Sequence, residues 1–305
     1  MADGLRVSVL VATRNRAGVL AACLSSVLGQ DERAIEVVVL DDASSDPGAT
    51  ANACVAAGDE RVRSVRSEAQ LGVAGARNRL LEEARAPLAV FIDDDAVFAD
   101  AGCLGRMADC LDAHPQVGIV AVRVVEHRPG GEVLLVPFSK RVRRADPSIT
   151  NREQPVSYFV GTAHAFRREV IQPLGGYPGD LVYGEEESFL AYRAVAAGVG
   201  IRYLPSVTVH HHPAPSVVGH GGREMYYHVR NRWWLAWGFL PLPYLLTFWA
   251  VWSGFLALQA VRQRALGAYL RGMAAGVAGL ARRRRTPLSR EAVAYQRAHH
   301  GRLWY

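Results

Sequence analysis

Two short apolar runs decide most of what this chain can become. Residues 35–40 (IEVVVL) lead straight into Asp41-Asp42, and residues 87–92 (PLAVFI) lead straight into Asp93-Asp94-Asp95. Each run is too short for a helix and apolar almost throughout, so each reads as a strand buried on both faces. Unpaired carboxylates are costly inside a core. Each acid cluster therefore marks where a strand leaves its sheet.

A third run of this kind, residues 6–12 (RVSVLVA), opens the chain, and residues 61–66 suit a short strand. The spacing predicts helices over 17–29, 48–57, 73–85 and 100–113, then a strand over 117–125. Strands alternating with helices specify βαβ units and a parallel sheet. Open α/β sheets bind ligands beyond the carboxyl ends of their strands. Both acid clusters fall there.

The polar stretch 126–155 is expected to form a variable loop or hairpin. Residues 156–170 return to strand and helix character. Residues 183–198 (YGEEESFLAYRAVAAG) read as an acidic turn entering a helix. A strand over 200–209 closes at His210-His211-His212. There is no internal repeat.

The character changes after Gly222. Between Arg232 and Arg262 lie 29 residues without a charge, rich in Trp and Tyr, as at a membrane interface. Pro241 and Pro243 interrupt this stretch and leave roughly 18 residues from Tyr244, near the lower limit for a spanning helix. A weaker apolar stretch, 265–281, runs into four consecutive arginines, Arg282–Arg285. From Arg262 to the end there are ten Arg and one acid, Glu291, whereas the body before it is slightly acidic. A single crossing would put this basic tail opposite a cytosolic body, against the positive-inside rule. A helix lying in the interface, or a re-entrant pair, keeps both on the cytosolic face. The alternative is a helical pair buried on the body or in a dimer. The division expected is 1–222 for the catalytic body and 223–305 for the helical, Arg-rich, membrane-associated region. Contact with the membrane is assigned to 233–285. Basic residues confined to the tail argue against a nucleic-acid partner.

With 305 residues, half of them hydrophobic, the chain can bury a sizeable core. Four scattered cysteines do not make a disulfide framework, and a reducing cytosol suits them. The first residues lack the basic-then-apolar pattern of a cleaved signal peptide. A cytoplasmic protein, peripheral on the cytosolic face of the plasma membrane, is expected.

Neighbouring carboxylates at a strand end repel one another unless a cation sits among them. Asp93-Asp94-Asp95 thus suit Mg²⁺ or Mn²⁺, or else a solvated turn. Asp41-Asp42 with Ser44, Ser45 and Asp46 can accept hydrogen bonds from a nucleoside, or simply cap a helix. Glu185-Glu186-Glu187 contain a candidate general base, although acids at a helix start are also ordinary. A histidine among His210–His212 can complete a metal site with Asp95. The segment LGVAGARN at 71–78 has the glycines of a phosphate loop but neither the GxGxxG nor the Walker spacing.

Taken together and in order, VSVLVATRNR (7–16), LDDASSD (40–46), LGVAGARNRLL (71–81), VFIDDDAVF (90–98), VGTAHAFRREVIQPLGGYP (160–178), GEEESFLAYRAVAAG (184–198) and YLPSVTVHHH (203–212) resemble glycosyltransferase family 2. These are inverting enzymes of the GT-A fold. The coverage is about residues 5–235, and the nearest subgroup looks like the non-processive, rhamnosyltransferase-like members. The resemblance implies an α/β fold with one Rossmann-like, mostly parallel sheet flanked by helices, and a C-terminal hydrophobic helical extension. It implies that Ala12 to Asn15, including Arg14, and Asp42 hold the nucleoside. Asp93 and Asp95 become the outer acids of a DxD motif, with Asp95 the principal metal ligand and Asp93 or Asp94 reaching the ribose or sugar. His211 becomes the late metal ligand. The base motif lies over Glu186 and Glu187. It points to Glu187, although three acids in a row depart from the family pattern and leave Glu186 open. The QxxRW motif of processive members is absent.

The reading that follows is a transferase using Mn²⁺ or Mg²⁺. It moves one sugar from a UDP-, dTDP- or GDP-sugar to a glycan or lipid-linked acceptor of the cell envelope. Its competitors are a nucleotidyltransferase and a non-catalytic membrane-surface scaffold with a degenerate transferase domain.

Overall fold

The computed structural model describes residues 4–213, 222–301 and 303. The first half alternates strand and helix as the sequence predicts. It runs β1 (Val7–Thr13), α1 (Ala17–Leu28), β2 (Ile35–Asp41), α2 (Pro47–Ala56), β3 (Val62–Arg66), α3 (Gly72–Glu83) and β4 (Leu88–Ile92). Then come β5 (Ala96–Phe98), α4 (Cys103–Ala113), β6 (Val117–Arg128), β7 (Gly131–Leu135), α5 (Lys140–Ala145), β8 (Gln154–Val156), β9 (Ala163–Arg167), α6 (Arg168–Ile171), α7 (Glu186–Ala196) and β10 (Gly200–His211). Four helices close the chain: α8 (Gly222–Phe239), α9 (Leu242–Arg262), α10 (Leu266–Gly279) and α11 (Arg290–Ala298).

One sheet carries the molecule, in the order β3-β2-β1-β4-β9-β6-β10-β5, with β7 beside β6 and β8 beside β10. Strands β3, β2, β1 and β4 are parallel. β9 runs against both β4 and β6, which returns β6 and its parallel neighbour β10 to the first direction. β1, β2 and β4 are buried almost end to end. That is what continuous apolar runs require when helices cover both faces.

Two differences from the sequence expectation bear on the site. The Asp93–Asp95 turn does not open into solvent; it feeds β5, a strand too short to recognise from pattern. β5 pairs with the far end of β10, so that strand continues through His210 and His211 instead of stopping before them. The stretch 126–155 does contain a hairpin, β6–β7, followed by α5. In the tail, α9 begins at Leu242, two residues before Tyr244, because proline is tolerated in a helix's first turn.

The C-terminal helices share the body's core. Trp234, Leu235, Phe239, Leu245, Phe248, Leu288, Ala292 and Leu303 pack in one apolar cluster with Leu10, Phe91, Phe166 and Leu190. Tyr295 Oη receives the Ile201 backbone N–H at 3.1 Å and donates to the Val156 carbonyl at 2.9 Å, tying α11 to β8 and β10.

Candidate active site

The carboxyl ends of β1, β2 and β4 open on a cleft of about 340 Å³. Ala12, Thr13, Arg14, Arg16, Asp42, Arg77, Asp93, Asp94, Asp95 and His211 line it. The structure thus brings together seven of the residues singled out from sequence.

Each acid in the triplet has its own partner. Asp94 accepts from Thr13 Oγ1 at 2.6 Å and faces Arg16 at 3.3 Å. Asp95 is paired with the other Arg16 nitrogen and lies 3.2 Å from His211 Nε2. Asp93 faces Arg77, at 3.5 Å. The protonation behaviour diverges accordingly. Burial pushes both Asp93 and Asp94 up to about 6. Burial also opposes charge on Asp95, but His211 and Arg16 outweigh it and hold that carboxyl below its usual range.

His211 is set by the strand pairing. It stands opposite Ala96 of β5 on one side and Glu126 of β6 on the other. Its Nδ1 lies 3.2 Å from Glu126 Oε2, so a second carboxylate orients the ring toward Asp95. Desolvation alone would lower the imidazole; the surrounding acids reverse this and raise it. His210 points the other way, to His127 at 2.9 Å, as strand alternation demands.

Two residues expected at the nucleoside hold loops of the fold together. Asp42 accepts from the backbone N–H of Leu71 at 2.6 Å and of Gly72 at 3.0 Å, anchoring the start of α3. Gly72 has φ +72°, a conformation that favours glycine. Asn15 stands beside the cleft and does not line it. Its backbone N–H donates to Ser44 Oγ, and its side-chain oxygen accepts from Ser45 N at 2.7 Å, joining the β1 and β2 loops.

Glu186 and Glu187 start α7. Glu187 Oε1 accepts from Arg77 Nη1 at 2.6 Å, and Arg77 Nη2 donates to the Gly161 carbonyl at 3.0 Å. Arg77 is buried, and its one guanidinium joins Asp93, 3.5 Å away, to Glu187. Gly161 makes room for this: a Cβ there would lie 1.8 Å from Glu187 Oε1. Glu186 is buried, and its Oε2 has no hydrogen-bond partner among the described residues. Desolvation, then the charge of Glu187, push its carboxyl up.

Sequence reading gave no role to Arg16, Arg77, Glu126 or Gly161. Arg77 had a usable signal: it is a lone cation on the small-residue face GVAGARN, in a chain with three acid clusters to neutralise. Glu126 had none, because only the β6–β10 register brings it to His211.

Asp93, Asp95 and His211 each offer a ligand atom within 4.8 Å of the others. Two carboxylates and one imidazole are a donor set suited to Mn²⁺ or Mg²⁺. The residues fit such an ion.

The profile described as Glycosyl transferase family 2 matches residues 8–175. The succinoglycan biosynthesis protein ExoU of Rhizobium meliloti is 35% identical over 101 residues, 33% of this chain and 29% of that protein. The pre-mycofactocin glycosyltransferase of Mycobacterium tuberculosis is 27% identical over 215 residues, 67% of this chain and 42% of that protein. The chain thus matches less than half the length of either. Among solved structures, the mannosyltransferase PcManGT of Pyrobaculum calidifontis, in complex with GDP-Man and Mn²⁺, superposes with a TM-score of 0.59 at 24% identity. That match covers 97% of this chain and 80% of the other.

Proposed function

Because the chain belongs to glycosyl transferase family 2 and has the GT-A fold, we propose that it moves one sugar from a nucleotide-diphosphate sugar to an acceptor hydroxyl, with inversion. The observation that carries this is the joint geometry of the cleft. The acids after β4 and His211 face it, and Arg77 links one of those acids, Asp93, directly to Glu187.

In this reading the loop after β1, Ala12 to Asn15, and Asp42 border the nucleoside. Asp93, Asp95 and His211 would hold the divalent cation, which when bound neutralises charge on the diphosphate leaving group. Arg16, already at Asp94 and Asp95, adds a second positive charge. Glu187 takes the acceptor's proton as the hydroxyl oxygen attacks the anomeric carbon and the bond to the diphosphate breaks on the opposite face. One carboxylate suffices for a single displacement. Glu187 suits the task better than Glu186. Glu187 pairs with a guanidinium, whereas burial favours the protonated form of Glu186. The absence of QxxRW supports one-sugar transfer, in keeping with a non-processive, rhamnosyltransferase-like subgroup.

The acceptor is proposed to be a lipid-linked or envelope glycan, met at the cytosolic membrane face by 223–305. Support comes from α9. It is long and apolar enough to cross a membrane, yet only 28% of its most apolar window is buried. It exposes Leu242, Leu246, Phe255 and Leu258, and α10 exposes Leu266 and Leu270. A basic hollow of about 700 Å³ lined by Arg193, Arg282, Arg283 and Arg284 suits anionic lipid.

The test incubates purified protein with UDP-, dTDP- and GDP-sugars, with Mn²⁺, Mg²⁺ or EDTA, and measures released nucleoside diphosphate. Metal-dependent release from one donor is expected. Pyrophosphate released from a sugar phosphate and a nucleoside triphosphate would replace this reading with a nucleotidyltransferase. Failure to bind any donor by calorimetry would leave the scaffold.

A further inference from the structure

A second cluster of ligand-type side chains lies far from the cleft. Cys110 and His114, four residues apart at the end of α4, meet Glu153 just before β8. One ligand atom from each lies within 4.8 Å of the other two. β8 pairs with Ile201–Tyr203 at the start of β10, whereas His211 stands at that strand's other end. Gln154, next to Glu153, pairs with Tyr203, so eight residues of strand separate that end from His211, roughly 25 Å.

The cluster is built rather than incidental. Spacing of i and i+4 puts Cys110 and His114 on one helix face. His114 Nδ1 lies 2.9 Å from the Cys110 carbonyl oxygen. A carbonyl only accepts, so Nδ1 donates, and in the neutral ring this leaves the lone pair on Nε2. A backbone carbonyl commonly fixes a metal-binding histidine in this way. Glu153 is oriented by Arg202 of β10. Cys110 is buried, while His114 is half-buried and Glu153 exposed, which leaves an ion a path from solvent.

We propose that Cys110, His114 and Glu153 form a zinc site that is separate from the donor cleft and cross-links α4 to the segment before β8. Thiolate, imidazole and carboxylate together select Zn²⁺ over the hard ions that suit Asp93 and Asp95. Three protein ligands leave a fourth position for water. On binding, the Cys110 thiol gives its proton to solvent and a Zn–S bond forms, with no change of oxidation state. The ion staples the end of α4 to the segment entering β8. It thereby closes the long excursion through the β6–β7 hairpin and α5.

The full chain, stripped with chelator, is titrated with Co²⁺. A thiolate-to-cobalt charge-transfer band is specific to this cluster, because no cysteine lines the cleft. The band should saturate stoichiometrically and be bleached by Zn²⁺. Cys110→Ser should abolish it, and His114→Ala should weaken binding about tenfold or more. Zn²⁺ should also raise the unfolding midpoint of the wild type but not that of His114→Ala or Glu153→Gln. These two variants carry the test if Cys110→Ser does not fold. A wild type without the band overturns the proposal. So does a band that survives Cys110→Ser, or a zinc-induced midpoint shift unchanged in both other variants.

Discussion

Arg77→Met tests the link on which the site rests. The guanidinium is buried, with 7% of its side chain exposed, and its partner Glu187 has 13% exposed. Solvent screening therefore discounts the pair very little. The substitution keeps length and apolar bulk but removes the charge, the 2.6 Å bond to Glu187 and the 3.0 Å bond to Gly161 O. It leaves Glu186, Glu187 and Asp93 with no cation between them. Removing one partner of a buried pair costs about 3–5 kcal/mol, chiefly because the surviving charge is stranded. Against a typical total of about 5–15 kcal/mol, that is a large fraction. The stranded charge can itself be removed. Glu187→Gln in the Arg77→Met background should recover part of the loss, with a coupling energy of about 0.5–3 kcal/mol. Urea unfolding of the four proteins measures all of this. A single mutant within about 1 kcal/mol of wild type, or two losses that simply add, would refute the claim that Arg77 neutralises Glu187.

Glu187→Gln should lower kcat by about 10²- to 10⁴-fold while donor binding is kept; a larger loss in Glu186→Gln would transfer the role of base to Glu186. Gly161→Ala should cost nearly as much activity, since its methyl occupies the place of Glu187 Oε1, and a normal kcat would show that Glu187 is free to move. Glu186 also gives a pH signature. Its carboxyl is raised in the fold to about 8, so between about pH 4.5 and 8 the unfolded chain is ionised there and the folded chain is not. The folded state then binds more protons, and stability falls as pH rises through that window. Glu186→Gln should flatten the slope, and an unchanged slope would assign it to other groups. Replacing the exposed Leu246 and Phe255 by Asp should abolish co-flotation with anionic vesicles, and unaffected flotation would move the membrane contact off α9.

What the sequence could and could not reveal follows from the range of the forces involved. β1, β2 and β4 are legible because burial on both faces writes a continuous apolar run, and the acids at the ends of β2 and β4 mark the cleft by pattern alone. Asp93, Asp95 and His211 are separately visible as candidate ligands. Their convergence is not, because it depends on β5. Three residues, AVF, carry no period and cannot be distinguished from a turn. Yet their pairing with Val209–His211 sets His211 beside Asp95 and extends β10 past the point where the apolar pattern stops. The same limit hides Glu126, which is one of many surface-type acids until the β6–β10 register is known. Arg77 is a different case. The small-residue face GVAGAR singles this arginine out, but nothing local explains its burial. The reason is the long-range charge balance: Glu186, Glu187 and Asp93 converge from two other parts of the chain, and a buried cation is the one group that can hold them together. The residues that give the cleft its chemistry are thus the ones whose environment is made by strand register and charge compensation, whereas the residues that give it its location are fixed by burial alone.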